Sequence, residues 1–388
     1  MFAGGLGPQE TPPYSYRLIL VPPPGNLTNP YAGVTAPAIT PPFPYPSPPS
    51  PNTPIPEPVS AFALMGPGLK APTTQEWNLT AEHQFPGFAL RVAYEGAESY
   101  HLYGSEDNNP SIYNPNLTLD QNIATTQARS VLNPYYSTFT LQQSVGTSSY
   151  NGLTISVLRQ VKGALTFIGG YRWSRCLDEG GYVFGDEAAY TRPWDPPYDR
   201  GLCDYDVGSK LTFSYVYKLP SVKSLGFFGR QVIGGWTSSG ILTWQDGLPF
   251  TLFTGTNNST DGNNYSVATD RPDLVGNPHL PSNRSTGEKL LEYFNTAAVV
   301  PNAAGTYGNT ARNFLRGPGY ANLDFALIKS IPLGRGEDRR LDFRAEFFNL
   351  FNHPNFGAPD NYLTDSTFGQ ILSAGDPRIV QLALKFIF

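Results

Sequence analysis

Apolar and polar positions alternate with a period of two over much of this chain, most plainly at its end. In "QLALKFIF" (381–388), Leu382, Leu384, Phe386 and Phe388 share one face with the preceding Val380, and Gln381, Ala383, Lys385 and Ile387 share the other. Such alternation predicts a strand with two different environments on its two faces. The pattern recurs upstream. Trp77, Leu79, Ala81, His83 and Phe85 lie on one face before the turn Pro86-Gly87, and Leu90, Val92 and Tyr94 on one face after it. Leu153, Ile155 and Val157 alternate before a turn around Val161-Lys162-Gly163, and Leu165, Phe167, Gly169, Tyr171 and Trp173 alternate after it. Leu211, Phe213, Tyr215, Tyr217 and Leu219 make a further face. A segment over 231–255 carries Trp236 and Trp244, with a bend expected at Asp246-Gly247-Leu248-Pro249. Leu323, Phe325 and Leu327 precede the turn "PLGRGED" (332–338), and Leu341, Phe343, Ala345 and Phe347 follow it.

The opposite faces carry the second half of the argument. Asp342, Arg344 and Glu346 sit between the apolar residues of 341–347, and three charges on one strand face are tolerable where that face lines water. An amphipathic sheet packed on a soluble core gives the same alternation. The connections separate the two cases. They are short at 86–87, 161–163, 220–230 and 332–338 and long at 104–149, 178–205, 256–319 and 352–376, so every long loop falls at one end of the sheet. Transmembrane barrels have that asymmetry, and Greek-key sandwiches do not. The parity requires 231–255 to be one strand bent at Gly247. The fold class expected is therefore all-β: an antiparallel transmembrane β-barrel, partial, with nine strands, or ten if "YSYRLIL" (14–20) is one, and long extracellular loops.

Composition agrees. The 388 residues include 39 Gly and 38 Pro, aromatics make up 13% and charged residues only 15%, a texture of aromatic strands and irregular loops. No run of 18 apolar residues exists from which to build a spanning helix. A net charge of -5 without a basic cluster argues against a nucleic-acid partner. More than half of the prolines fall within the first 72 residues, so 1–74 reads as a Pro-rich segment, a linker or a loop of extended character, ahead of a barrel portion at 75–388. The start, Met1-Phe-Ala-Gly-Gly-Leu-Gly-Pro, has neither the basic nor the apolar region of a signal peptide. The expectation is either a cytosolic protein or one whose true beginning lies upstream.

Six segments in order resemble the C-terminal half of TonB-dependent outer-membrane receptors of the Oar-like group. They are "YNGL" (150–153), "YRWSRCLDE" (171–179), "RGLCDYDV" (200–207), "GPGYANLDFALIK" (317–329), "RAEFFNLFNHPNFGAP" (344–359) and the terminal "FGQI…GDPRIVQLALKFIF". The resemblance implies an outer-membrane location, a larger barrel of about 22 strands closed around an N-terminal plug, and import of a scarce small ligand such as a siderophore, glycan or peptide. It implies contact with the TonB complex only through a plug that is not found in this chain. It makes 1–74 an extracellular loop of the parent barrel, and the chain a truncated or split product with Met1 as an internal start. It gives Val380, Leu382, Leu384, Phe386 and Phe388 the lipid-facing positions of the terminal strand that the barrel-assembly machinery recognises. Gln381 and Lys385 then face the lumen.

Candidate chemistry is sparse. Cys176 and Cys203 flank one long loop at the tops of neighbouring strands; they suit a disulfide in an oxidising compartment, the alternative being two free thiols. His83, His101, His279 and His353 are scattered, so no metal site and no cofactor is expected. "SEDNNP" (105–110) and "TDGNNYSVATDRPD" (260–273) carry oxygen ligands of the kind calcium takes, but solvated turns are the better expectation. The acidic pair Asp186-Glu187 does not make a general acid and base by adjacency in sequence alone, no nucleophile elbow or phosphate loop is present, and no catalytic residue is assigned. In the loop after 178, Tyr182, Phe184, Tyr190, Trp194 and Tyr198 with Arg192, Asp195 and Arg200 form the candidate ligand-facing surface, each residue alone being as well read as loop packing. Three functions follow: a receptor barrel fragment for uptake, a barrel-anchored adhesive or structural surface protein, and a soluble all-β binding module.

Overall fold

A computed structural model describes residues 59–132, 134, 136–159, 164–180, 190–192, 194–220, 234–262, 270–333 and 339–388. The strand proposed at 14–20, the turn at 161–163, most of the turn at 332–338, Tyr182, Phe184 and Asp186-Glu187 lie outside them. Nine strands form one antiparallel sheet in the order β15 (Ile379–Ile387), β14 (Arg340–Phe348), β13 (Tyr320–Pro332), β8 (Trp236–Gln245), β7 (Ser209–Lys218), β5 (Leu165–Asp178), β4 (Tyr136–Arg159), β3 (Phe88–Asp107), β2 (Thr73–Phe85). β1 (Val59–Met65) pairs in parallel with the upper part of β4, and the two-residue β6 (Gly201–Leu202) pairs with the top of β5. The sheet is open, with β2 and β15 at its edges.

Register explains why the alternation was continuous. Leu79, Tyr94, Leu153 and Trp173 stand opposite one another on β2 to β5, and Tyr171, Leu211, Trp244 and Ala321 do so on β5 to β13. At the other edge Phe325, Phe347 and Val380 align, then Ala345 with Leu382, Phe343 with Leu384, and Leu341 with Phe386. One face is therefore apolar and aromatic across all nine strands. The other carries Glu82 opposite Arg91, Arg172 opposite Lys210, Glu346 opposite Gln381 and Asp342 opposite Lys385. A trough of 510 Å³ runs over the polar side across β4, β5, β7, β8, β13 and β14, which makes that side the concave one. On the apolar convex face Trp77, Trp173, Trp244, Leu382 and Leu384 are exposed, as residues meant for lipid are.

Two expectations are corrected. The segment 104–149 is strand at both ends, since β3 has 20 residues and reaches Asp107 and β4 has 24 and begins at Tyr136, and a membrane crossing needs only about 9–11. The excess rises beyond the band, past a bulge at His101 (φ 58°) where the β3–β4 register shifts. Above the band both faces are polar, so Ser, Thr, Gln and Gly replace the alternation and hide the strand. Second, 231–255 is not one bent strand. β8 ends at Gln245, and β9 (Pro249–Phe250) leaves the sheet to pair with β12 (Leu315–Arg316). The bend is set by Gly247, where a Cβ would lie 1.8 Å from the Gly317 carbonyl oxygen; only backbone fits there. The parity survives, because β8 still crosses once.

Candidate functional site

The long connections fold together over one end of the sheet. The small core of this cap is Phe250, Leu252, Phe294, Val299 and Leu315, supplied by the 246–319 connection and backed by Leu363 and Phe368 from 349–378. Two short helices flank it, α1 (Leu119–Ala124) and α2 (Thr286–Leu291). Each is started by a reciprocal capping box, Thr118 with Gln121 and Ser285 with Glu288, which satisfies backbone donors a one-turn helix would otherwise leave open.

Buried charge ties the 179–208 loop to this core. Arg271 donates to Asp199 Oδ1 at 2.7 Å and to the Tyr198 carbonyl at 2.8 Å, and its side chain and that of Asp199 are 2% and 6% exposed. Its guanidinium lies 3.8 Å from the centroid of the Tyr198 ring. Burial raises the Asp199 carboxyl and Arg271 opposes the rise. Arg312 reaches Asp178, Asp204 at 2.9 Å and the Asp199 carbonyl at 2.9 Å; burial lowers its guanidinium to about 10. Arg316 pairs with Asp206, which is almost fully buried. Cys176 on β5 and Cys203 have Cα atoms 5.4 Å apart with their sulfurs joined. The 27-residue separation is thus closed by one covalent link and several ion pairs.

The predicted ligand-facing residues divide. Arg192 lies 3.8 Å from the Tyr198 ring centroid and pairs with Asp195 at 3.3 Å. Trp194 is 64% exposed and meets the Tyr307 ring edge-on at 5.8 Å. The Tyr198 hydroxyl is shared between the carbonyls of Tyr307 (2.6 Å) and Gly308 (2.9 Å). Arg192, Trp194, Asp195 and Tyr198 thus form one patch with Tyr307, whose hydroxyl is pushed far up by burial and by Asp261. Tyr307 was not expected here, since over a hundred residues separate it from the others. Tyr190 is a correction: it is 1% exposed, its ring filling the space over Gly104 that a side chain there would need. Arg200 stands apart, bound to Glu179 at 2.7 Å and Thr147 Oγ1 at 3.0 Å. Tyr182 lies outside the described residues. The patch offers an exposed indole beside a half-exposed guanidinium, a platform for stacking a planar or sugar ring.

Where they are described, at 105–110, 260–262 and 270–273, the acidic stretches are not solvated turns. Ser105, Asp107 and Asn109 are buried, as are Thr260, Asp261, Asp270 and Arg271. Asp270 accepts from the Ser259 amide at 2.6 Å and from Asn302 at 3.3 Å, and burial raises its carboxyl. Among the described residues no group of three or more His, Cys, Asp or Glu side chains is arranged to hold a metal ion.

The concave face has a feature the sequence reading missed. Leu158, Ile168, Ser214, Ile241 and Asp324 stand opposite one another on β4, β5, β7, β8 and β13, and Phe348 lies beyond them on β14. Thr166, Val216, Ser239, Ala326 and Glu346 make the adjacent row. These two rows line the trough, and Leu158, Ile168, Val216, Ile241 and Phe348 are all exposed on an otherwise polar face. The signal was present as apolar residues out of phase, Ile168 in "LTFIGGYRW" and Ile241 in "GILTW". The charges further down β14 are Asp342, held by Arg340 at 3.2 Å, and Arg344, held by Glu346 at 2.9 Å.

The sequence matches the family described as "Outer membrane beta barrel domain" over residues 3–381. No curated protein matches it at a significant level. Among solved structures the chain is similar to the outer membrane transporter YddB from Escherichia coli (11% identity, TM-score 0.42, covering 83% of this chain and 33% of that one). It is similar also to FpvA of P. aeruginosa bound to heterologous pyoverdines (11%, 0.38, 81% and 26%) and to BauA, the ferric preacinetobactin receptor from Acinetobacter baumannii (12%, 0.38, 84% and 32%). The chain therefore spans about a third or less of the length of these proteins.

Proposed function

The chain belongs to the outer-membrane β-barrel family, and from that premise we propose that it is the barrel portion of a TonB-dependent transporter that takes a small ligand across the outer membrane. One observation carries the reading: a nine-stranded sheet, apolar on its convex face and polar on its concave face, has the described parts of the 108–135, 179–208, 246–319 and 349–378 connections gathered into a cap at one end. Convex residues meet lipid, concave residues line an aqueous lumen, and the cap faces outward where a ligand arrives.

In this account Arg192, Trp194, Asp195 and Tyr198 present the first contact for the ligand, with Tyr307 as their support. The edges at β2 and β15 are completed by further strands, since open edges leave backbone donors and acceptors unpaired in lipid. TonB engages a plug supplied by the rest of the transporter, and residues 66–72, between β1 and β2, belong to an extracellular loop. The test is membrane fractionation with heat-modifiable gel migration. The account expects outer-membrane recovery and a faster-migrating unheated form; recovery in the soluble fraction without detergent refutes it. The transport step is tested by Trp194→Ala in the full transporter, which should weaken ligand-dependent uptake while leaving the amount in the membrane unchanged.

A further inference from the structure

The convex face is almost free of charge, and the charges it has stand at its two rims. Below the bulge at His101, its positions on the nine strands carry only Glu98, Arg159, Arg175 and Lys329 as charged residues. Arg159 and Lys329 lie toward the short turns, Glu98 and Arg175 toward the cap. From Phe167, which stands opposite Arg159, to Arg175 is nine residues of β5, in keeping with the about 9–11 that a crossing takes. Arg175 therefore sits at the outer boundary of the lipid, directly above the exposed Trp173.

Arg175 is exposed, and its guanidinium makes no hydrogen bond or ion pair among the described residues. The acidic groups on neighbouring segments are bound to other partners: Glu98 to the Tyr100 hydroxyl, Glu179 to Arg200 at 2.7 Å and Asp206 to Arg316. Asn151, the cross-strand neighbour of Arg175 on β4, is also exposed; its Oδ1 accepts from the Tyr94 hydroxyl at 2.7 Å, which leaves its Nδ2 to donate. One convex position further up β4, Arg200 Nη2 donates to Ser149 Oγ at 3.4 Å. Hydrogen-bond donors thus gather at the top of an apolar surface made by Trp173, Leu153 and Tyr94, which stand opposite one another on β5, β4 and β3. A phosphate head above an acyl chain meets such an arrangement with its charge at the donors and its chain on the aromatic rows.

We propose that Arg175 and Asn151 bind the phosphate of an anionic lipid in the outer leaflet, whose chain lies along Trp173 and Leu153. Charge complementarity selects the head: an unpaired guanidinium favours a phosphate with no cation of its own over a zwitterionic head. The site rests on the lipid-facing reading of the convex face given above, and the head-group preference is what it adds.

The reporter is Trp173, kept as the single tryptophan of the full chain by replacing Trp77, Trp194, Trp236 and Trp244 with Phe, in phosphatidylcholine nanodiscs and shown to migrate heat-modifiably. Its quenching is titrated with phosphatidate or phosphatidylcholine carrying brominated chains. The proposal expects phosphatidate to reach half-maximal quenching at a mole fraction at least fivefold lower, unchanged by millimolar inorganic phosphate. Arg175→Gln should remove that preference, and Arg159→Gln, at the other rim, should leave it. Native mass spectrometry of the chain with all its tryptophans repeats the comparison without the replacements and should show phosphatidate retained over phosphatidylcholine, with the same dependence on Arg175. Equal quenching by the two lipids, a preference that survives Arg175→Gln, or displacement by inorganic phosphate overturns the proposal and, because Trp173 is still quenched from lipid, leaves the barrel reading intact. No quenching by either lipid overturns both.

Discussion

Breaking the Arg271–Asp199 pair should open the cap while leaving the sheet in place. Both side chains are nearly excluded from water and bonded at 2.7 Å, so removing one partner leaves a buried charge unanswered, at a cost of about 3–5 kcal/mol. At 1.4 kcal/mol per factor of ten, that is roughly a hundredfold to several-thousandfold rise in the open population of the cap. The assay is native-state hydrogen exchange at the Val275 amide, which donates to the Ala298 carbonyl at 2.9 Å in the cap and keeps that acceptor in every variant, with β14 amides as the internal standard. The two single changes should differ in pH dependence. In Arg271→Met the Asp199 carboxyl, already raised by burial, loses the cation that opposes the rise, so it takes up a proton as the pH falls and the damage shrinks. In Asp199→Asn the stranded guanidinium stays charged at any such pH, so the damage stays. The paired change Asp199→Leu with Arg271→Met should be less harmful than either alone. Exchange at Val275 altered less than tenfold by both single changes, or a paired change as harmful as their sum, would refute the view that buried charge holds the cap.

Three further outcomes follow from the same structure. Replacing Cys203 by Ser should cost the cap roughly 3–4 kcal/mol by the chain-entropy estimate for a loop of this length, and non-reducing peptide mapping of the unchanged chain should recover Cys176 and Cys203 in one linked pair. Asp270 is raised by burial; with the folded value above the unfolded one, its contribution is fully present below the ordinary 3.8 and is lost as pH rises through the folded value. Cap stability should therefore fall across that window, and Asp270→Asn should flatten the fall, as read by protease resistance against pH. Gly247→Ala places a Cβ 1.8 Å from the Gly317 carbonyl oxygen, and the forced separation of β9 from the 317–319 backbone should cost about 1–3 kcal/mol, seen as earlier cap proteolysis without loss of the heat-modifiable form.

The strands were legible where two solvents meet one sheet. Between Leu341 and Phe347 each apolar residue has an apolar neighbour on β15, and each charge has a polar or small one, so the pattern in the sequence is the pattern in the fold. It failed above the band, in β3 past His101 and in β4 before Ser148, where buried positions such as Ser105, Asp107 and Thr140 are polar and pack against the loops, so no apolar alternation marks the strands. The cap was illegible for another reason. Arg271 meets Asp199 across 72 residues and Arg312 meets Asp204 across 108, and no local pattern announces such partners. Loop residues expected to face a ligand, Tyr190 above all, were drawn into that packing. The trough was present in the sequence as Ile168, Val216 and Ile241 out of phase, but its meaning depends on six strands lying side by side.

The central claim, that the convex face lies in lipid and the concave face in water, is tested most directly on β14, which has a neighbour on each side. Spin labels placed singly at positions 341 to 347 in the membrane-embedded chain report their collision rates with oxygen, which concentrates in lipid, and with a polar nickel chelate, which stays in water. The account predicts a period of two, oxygen-accessible at Leu341, Phe343, Ala345 and Phe347 and chelate-accessible at Asp342, Arg344 and Glu346. The reverse phase, or no alternation, would contradict it.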